Sequence, residues 1–193
     1  MPHDLPPWQT VYGYYWQWRN MGLWEKINAV LVQKVRMSQG RNPQPSAGII
    51  DSQSVKTSEG GEERGVDVHK QTPGRKRHII VDTLGLLLLV LVHRASIPDG
   101  NGGKLVLAKL FERIKHSVYN RWCRFKLIWA DGAYEDISVW VKQQFGWRLE
   151  VVRRPPDAKG FQILPRRWVV ERTFGWLGRY RRLGRDYEHQ ILS

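Results

Sequence analysis

The chain has 193 residues, with 31 Lys and Arg against 18 Asp and Glu, and a formal net charge of +13 at pH 7. Its 41% of hydrophobic residues is enough for a core and excludes a disordered polyelectrolyte. A single cysteine excludes a disulfide scaffold, and the longest apolar run, 84–92, is about half of the ~20 residues that a membrane span needs. We therefore expect a soluble, cytoplasmic protein with a polyanionic partner such as nucleic acid.

The N-terminal part is predicted to be helical. Residues 8–37 show helical periodicity, and Gly22 is expected to mark a turn between two short helices. One apolar face is predicted from residues spaced by three and four: Trp24, Ile27, Leu31 and Val35. A linker rich in Pro, Ser and Gly at 41–48 places a domain boundary near residue 45. The segment 1–45 is either a partial DNA-binding region or an adaptor that packs on the main domain.

Beyond the linker, short apolar strands alternate with amphipathic helices. Strands are expected at 47–55, 77–83, 86–92, 125–130 and 148–152. Helices are expected at 101–118, 136–145 and 165–183. The polar, Gly-rich stretch 57–74 predicts a hairpin or a mobile loop. This order predicts an α/β fold, with a mixed sheet flanked by helices.

Three carboxylates occupy positions suited to metal-assisted chemistry. Asp51 and Asp131 each follow a buried apolar strand, and Glu171 lies within the last predicted helix. Because ligands of α/β sheets bind at the carboxyl ends of the strands, we expect the aspartates within roughly 5–10 Å of each other. A hard cation such as Mg²⁺ or Mn²⁺ would neutralise them, and two such ions suit in-line displacement at a phosphodiester. The alternatives are a helix cap or turn for each aspartate, and an ion pair between Glu171 and Arg167.

Five segments in order resemble transposases of bacterial insertion sequences of the DDE class. They read IDSQSV, GRKRH, VDT, ADGAY and RRWVVERT, at 50–55, 74–78, 81–83, 130–134 and 166–173. The similarity is strongest to the insertion-sequence-five branch of the insertion-sequence-four-like superfamily and extends from about residue 6 to residue 188. It implies a ribonuclease H-like fold for the catalytic domain, 46–193. The activity it implies is metal-dependent cleavage at transposon ends and strand transfer into target DNA.

The resemblance also assigns roles to individual residues. It implies that Asp51, Asp131 and Glu171 are the catalytic triad and the ligands of Mg²⁺ or Mn²⁺. Arg167 matches the arginine four positions before the glutamate, where it would clamp a phosphate or orient the carboxylate. The implied partners are double-stranded DNA, as terminal inverted repeats and target, and further copies of the chain on that DNA. The implied location is the bacterial nucleoid, with no membrane association.

Other candidate DNA contacts are basic residues. The family often has a tyrosine and a lysine where this chain has Leu164 and Gly178, and Arg182 is the best substitute for that lysine. The remaining candidates are Arg75, Lys76, Arg77, His78 and Arg179. Trp168 and Trp176 are expected in the core rather than as base-stacking groups.

The two ends of the sequence leave open whether the protein is an active enzyme. Family members usually carry more sequence before residues 5–8 and continue beyond 186–189. The chain is therefore an active transposase, or a truncated or frameshifted copy that binds transposon ends and inhibits an intact enzyme. A metal-dependent nuclease without strand transfer is a third interpretation.

Overall fold

The computed structural model describes residues 4–58, 61–116, 124–155, 160, 162–189 and 191. The chain forms two compact units, Met1–Pro43 and Gln44–Ser193. Within the described residues, no helix combines the length and apolar character needed to cross a membrane.

The first unit is a helical hairpin of α1 (Trp8–Asn20) and α2 (Leu23–Ser38), as the periodicity predicts. The turn falls at Gly22, whose φ is 61°. The four residues of the predicted apolar face lie on one side of α2, and each is at least 40% exposed. The buried residues of α2 form a different stripe: Ala29, Val32 and Arg36. The buried guanidinium of Arg36 has a polar partner, because its Nε donates a hydrogen bond to the carbonyl of Asn42 at 2.8 Å.

The second unit contains a mixed sheet and helices. Its strands are β1 (Ala47–Lys56), β2 (Gly65–Asp67), β3 (Thr72–Asp82), β4 (Leu87–Arg94), β5 (Leu127–Ala130) and β6 (Arg148–Val151). Its helices are α3 (Asp99–His116), a 3₁₀ helix (Gly132–Ile137), α4 (Ser138–Phe145), α5 (Arg167–Gly178) and α6 (Arg181–Gly184). The predicted helix 165–183 is therefore two helices, because Tyr180 is extended, with φ −91° and ψ 121°. The predicted end of the helix 101–118 lies outside the described residues.

The sheet has the order β2-β3-β1-β5-β6, and β4 also pairs with β3. Strand β3 is antiparallel to β1, β2 and β4, whereas β1, β5 and β6 are parallel. Strand β2 pairs with the start of β3, so the polar stretch 57–74 contains the predicted hairpin. These pairings confirm the mixed α/β sheet.

The turn between β3 and β4 is built around Asp82 and Gly85. The carboxylate of Asp82 accepts hydrogen bonds from the backbone N–H groups of Leu84 and Leu86, each at 2.9 Å. Gly85 has a φ of 88°, a conformation that glycine adopts without strain. The turn predicted at Gly85 is therefore confirmed, and it brings the hairpin against α5.

Helices cover both faces of the sheet. One face packs against α5 through buried apolar side chains: Ile49, Ile79, Val81, Val169, Val170 and Phe174. On the other face, α3 approaches His78 so closely that a Cβ on Gly102 would lie 2.4 Å from Cε1 of His78. Since side chains alternate along a strand, Asp51 lies on the same face as Ile49, beside α5.

Candidate active site

Asp51 and Asp131 are aligned on neighbouring parallel strands. Strands β1 and β5 pair with Ile49 opposite Trp129, and continuing that register by two residues places Asp51 opposite Asp131. Paired strands lie about 4.8 Å apart, so the two carboxylates are neighbours. The expected adjacency of the aspartates is therefore present, but the expectation that Asp51 follows the end of its strand is wrong, because β1 continues to Lys56.

Asp131 also begins the 3₁₀ helix. Its Oδ1 accepts a hydrogen bond from the backbone N–H of Ala133 at 2.9 Å, so the carboxylate caps the helix. Its Oδ2 lies 3.8 Å from Nη2 of Arg167. The capping role therefore coexists with a position at the carboxylate cluster, because the two oxygens face different groups.

Arg167 links Asp131 to Glu171. Both Arg167 and Glu171 lie on α5, one turn apart, and Nη2 of Arg167 is 3.3 Å from Oε1 of Glu171. The same nitrogen faces Asp131, so one guanidinium joins the strand edge to the helix. The expected ion pair of Glu171 with Arg167 is thus present. We name Asp51, Asp131, Glu171 and Arg167 the carboxylate cluster.

Burial shifts the acid–base equilibrium of Asp51. Desolvation by burial raises the pKa of its carboxyl to about 6, against the opposing effect of the Ser52 backbone N–H, which donates to Oδ1 at 2.7 Å. The neighbouring charge of Asp131 raises the pKa further, and Arg167 counteracts it. A bound cation would favour the ionised carboxylate, because metal ligands must be deprotonated.

The oxygen donors of the carboxylate cluster suit a divalent metal. The present spacing of these side chains does not. Carboxylate oxygens are the donors that Mg²⁺ and Mn²⁺ prefer. Among the described residues, however, no three His, Cys, Asp or Glu side chains are grouped closely enough to hold a metal ion. Between Asp131 and Glu171 the bridging positive charge is the guanidinium of Arg167.

The basic run 75–78 lies inside the protein, in contrast to the expectation that it contacts DNA. All four side chains are buried: Arg75, Lys76, Arg77 and His78. Since strand residues alternate between faces, the run is divided between the two sides of β3. We therefore exclude these residues from the proposed DNA surface.

The two arginines of this run bind the C-terminal segment. Arg75, which is 1% exposed, pairs with Asp186 at 3.1 Å. Its guanidinium also donates to the carbonyls of Glu62, Glu188 and His189. Arg77 donates to a carbonyl of the same segment, that of Leu183. These contacts explain why two arginines are retained in a strand interior, since a buried guanidinium needs partners.

The predicted arginines after α5 face the solvent. Arg179 directly follows α5 and is exposed. Arg182 lies on α6, is also exposed, and forms an ion pair with Glu188. The exposure of these arginines is compatible with contact to a polyanion, unlike the burial of the run 75–78.

The two tryptophans of α5 are not core residues, in contrast to the sequence-based expectation. Trp168 is 39% exposed and Trp176 is 49% exposed.

A buried polar network behind β1 was missed by the sequence reasoning. Ser52 donates to Asp99 at 2.8 Å, and Asp99 accepts from the ammonium of Lys76, also at 2.8 Å. Lys76 pairs in turn with Asp67 at 3.2 Å. The alternation of Ser52 and Ser54 with Asp51 could have indicated a polar face opposite the carboxylates. The network anchors β1 directly beside Asp51.

Tyr134 is a second residue that the sequence reasoning missed. It is 1% exposed, so its hydroxyl is removed from solvent. Burial raises its pKa well above the usual value, and the charges of Asp51 and Asp99 act in the same direction. Its place in the segment ADGAY, three residues after Asp131, was the available signal.

The cavity of the second unit lies away from the carboxylate cluster. It has a volume of about 470 Å³, and its lining includes Lys76, Asp99, Lys104 and Asp136. These residues belong to the α3 side of the sheet, whereas Asp51 lies on the α5 side. We therefore assign no catalysis to this cavity.

The topology defines the class of the protein. Without the short β2, the sheet runs β4-β3-β1-β5-β6, with three antiparallel strands followed by parallel ones and with helices on both faces. This is a ribonuclease H-like fold. The chain belongs to the family of transposase DDE domains, whose model matches residues 42–191. A search of the curated proteins finds no match to the sequence. The family match confirms the resemblance to DDE transposases, whereas the insertion-sequence branch and the bacterial origin stay predictions.

Proposed function

We propose that the protein is a DNA transposase that cleaves phosphodiesters at transposon ends and transfers the freed strand into target DNA. The observation that carries the proposal is the carboxylate cluster, in which Asp51 and Asp131 are aligned on parallel strands and Arg167 connects Asp131 to Glu171. Membership of the transposase DDE domain family supports DNA as the substrate. In this proposal, copies of the chain act together on the inverted repeats.

Each member of the carboxylate cluster has a proposed role. Asp51, Asp131 and Glu171 would hold Mg²⁺ or Mn²⁺, which when bound activates the attacking oxygen and stabilises the leaving one. Arg167 keeps Asp131 and Glu171 together and offers a planar fork that matches a phosphate. The exposed Arg179 and Arg182 would contact the DNA backbone beyond α5.

A second candidate is a protein that binds transposon ends without cutting them and so inhibits an active transposase. The spacing of the carboxylates favours this candidate, because no three of the described acidic, His or Cys side chains are grouped to hold a metal. The two candidates differ in Mg²⁺-dependent cleavage and share DNA binding.

The substitution Asp131→Asn tests the proposed function. An asparagine can still accept the hydrogen bond from Ala133, so the helix cap and the fold should be retained. We expect Mg²⁺-dependent cleavage of DNA carrying the terminal inverted repeats to fall by at least about 100-fold. Asp136→Asn is the matched control, because Asp136 is an exposed carboxylate of the same 3₁₀ helix.

The outcomes separate the candidates. Cleavage that is unchanged in Asp131→Asn contradicts the assignment of the carboxylate cluster. Binding without cleavage by the parent protein supports the inhibitor. Cleavage without joined products in a strand-transfer assay indicates a nuclease.

A further inference from the structure

Ser52 lies in the part of β1 that has a sheet partner on one side only. Strand β5 pairs with β1 at 47–49, whereas β3 continues beside β1 as far as Lys56. The segment 50–56 therefore lacks the ladder of hydrogen bonds on the β5 side. Asp51 belongs to this segment, so the place of its carboxylate depends on supports other than the sheet.

The backbone of Ser52 has side-chain partners outside the ladder. Its N–H donates a hydrogen bond to Oδ1 of Asp51 at 2.7 Å. Its carbonyl accepts from the ammonium of Lys70 at 3.4 Å, and Lys70 belongs to the connection between β2 and β3. The backbone of Ser52 is thus bonded directly to the carboxylate of a proposed metal ligand.

The side chain of Ser52 is fixed on the opposite face of the sheet. It is buried, with 7% of the residue exposed, and its hydroxyl donates to Oδ1 of Asp99 at 2.8 Å. Asp99 is the first residue of α3, and its Oδ1 also lies 2.8 Å from the ammonium of Lys76. One residue therefore connects the start of α3 to the carboxylate of Asp51.

The same network also holds Ser54, two residues further along β1. The hydroxyl of Ser54 donates to the carboxylate of Asp67 at 2.5 Å, and Asp67 also pairs with Lys76. Apolar side chains of similar volume often match a buried ionic network in stability, so the network indicates a demand on geometry. Of the two serines, only Ser52 adjoins Asp51.

We propose that Ser52 is a positioning residue for Asp51: its N–H orients the carboxylate toward a divalent cation, and Asp99 holds Ser52 in place. The inference rests on the proposed function, in which Asp51 is a ligand of Mg²⁺ or Mn²⁺. Groups that hydrogen-bond to metal ligands orient them, and their loss costs about 10- to 100-fold in metal affinity or activity. Ser52 itself contacts neither the metal nor DNA in this proposal.

Ser52→Thr and Ser52→Val form a matched pair, because both side chains are β-branched and only threonine keeps the hydroxyl. The first measurement is hydrogen–deuterium exchange of the amide at position 52, followed by NMR in the metal-free protein. We expect Ser52→Val to lower its protection factor about 10-fold relative to the amide of Ile80, because the bond to Asp99 is lost. Ser52→Thr should stay within about 2-fold of the parent. Ile80 is a core residue of β3 and reports on the stability of the whole sheet.

The second measurement is cleavage of terminal-repeat DNA at increasing Mg²⁺ concentration. In Ser52→Val we expect the Mg²⁺ concentration for half-maximal cleavage to rise about 10-fold, with an unchanged KM for DNA. Ser52→Thr should restore the Mg²⁺ dependence of the parent. A purely structural residue would change the amount of folded enzyme and leave the Mg²⁺ dependence as it is. An unchanged dependence in Ser52→Val therefore overturns the positioning role.

Ser54→Val is the matched control. It removes a hydroxyl that donates to a carboxylate of the same network, on the same strand. We expect the exchange of the Ser52 amide and the Mg²⁺ dependence to stay as in the parent, even where urea unfolding shows a loss of stability. Equal effects of Ser52→Val and Ser54→Val on this exchange indicate a general loosening of β1 and contradict the proposal.

Asp99→Ala tests the anchor from its other end. It should lower the protection of the Ser52 amide about as much as Ser52→Val does, because both changes remove the same hydrogen bond. For the same reason the double variant should lose no more protection than the larger of the two single losses. Losses that add in the double variant contradict the connection through Asp99.

The inference and the proposed function fail in different ways. Unchanged protection of the amide at position 52 in Ser52→Val overturns the positioning role, whatever the cleavage activity. A parent protein that does not cleave, or an Asp131→Asn variant that still does, overturns the proposed function. Either result leaves the exchange measurement valid, because that measurement needs neither metal nor DNA.

Discussion

The ammonium of Lys76 lies between the buried carboxylate of Asp67 and the partly buried carboxylate of Asp99. It is 2.8 Å from Asp99 and 3.2 Å from Asp67, and it donates to the carbonyl of Ile97 at 3.0 Å. Burial by itself would raise the pKa of Asp67, but hydrogen bonds from Ser54, the Lys70 backbone and Lys76 outweigh it and hold the pKa at about 2. Burial is likewise outweighed at Asp99, whose pKa is lowered. Lys76 therefore forms ion pairs with two carboxylates within the fold.

Replacing Lys76 by methionine should destabilise the protein. The substitution Lys76→Met removes the ammonium that pairs with the buried carboxylate of Asp67, and breaking a buried ion pair costs about 3–5 kcal/mol. The measurement is the free energy of unfolding in urea. Arg148→Met is the control, because its pair with Glu150 is exposed and should change stability by less than about 1 kcal/mol. A Lys76→Met variant of unchanged stability but reduced DNA affinity would instead favour the original DNA-contact interpretation.

At the scale of elements, the packing of α3 on the sheet depends on Gly102. A Cβ at this position would lie 2.4 Å from Cε1 of His78 and 2.6 Å from Nε2 of His93. Both imidazoles are buried, so neither can move aside without disturbing the core. The close approach brings the start of α3, with Asp99, onto the polar network behind β1.

The substitution Gly102→Ala should therefore destabilise the protein, although alanine favours helices. Overpacking of a core costs about 1–3 kcal/mol, and the gain in helix propensity of about 1 kcal/mol offsets only part of this. We expect a net loss of about 1–2 kcal/mol by urea unfolding. Gly175→Ala is the matched control, because its Cβ enters open space and should raise stability. Equal changes in the two variants would show that backbone propensity, not contact with the histidines, dominates.

The strand pattern could predict that the two aspartates lie close together, but not that the basic run 75–78 is buried. Asp51 and Asp131 each follow apolar residues that pair on neighbouring parallel strands, so the register brings the two aspartates side by side, although Asp51 lies within β1 rather than at its end. The run 75–78 looks like one patch in the sequence, but alternation along β3 separates it, and its two arginines have partners at 183–189 that are over 100 residues away. Such long-range partners leave no local signal.

The face of α2 could not be predicted for a related reason. Periodicity predicted a helix with one apolar face but did not indicate which face is buried. The structure buries the stripe with Ala29 and Val32. Which stripe is covered depends on the tertiary contacts of the helix, which its own sequence does not contain.

At the scale of the whole molecule, buried histidines make the stability depend on pH. His78 is fully buried, its Nδ1 lies 2.8 Å from Nε2 of His93, and Lys76 and Asp99 also face the pair. Burial, followed by the neighbouring His93, lowers the pKa of His78 to about 3. Burial also lowers the pKa of His93. The folded state therefore keeps both rings neutral at pH values where the unfolded chain protonates them.

Acidification from about pH 7 to about pH 5 should consequently destabilise the fold. In this range the unfolded chain gains two protons, on His78 and His93, whose unperturbed pKa is 6.5. The folded state gains a proton on Asp51, because its pKa of about 6 lies above the usual 3.8, and the lowered pKa of His93 limits the protonation of that ring. The unfolded chain therefore gains more protons than the folded state, so the free energy of unfolding should fall on acidification.

Urea unfolding of the parent and of two variants across this pH range tests the assignment. Asp51→Asn removes the opposing proton, so its stability should fall more steeply on acidification than that of the parent. His116→Gln should follow the parent, since His116 is exposed and bonded only within its own helix turn. Stability that stays flat or rises on acidification would contradict the neutral, buried histidine pair. An unchanged slope in Asp51→Asn would show that the carboxyl of Asp51 titrates at its ordinary pKa and is less desolvated than its place beside α5 implies.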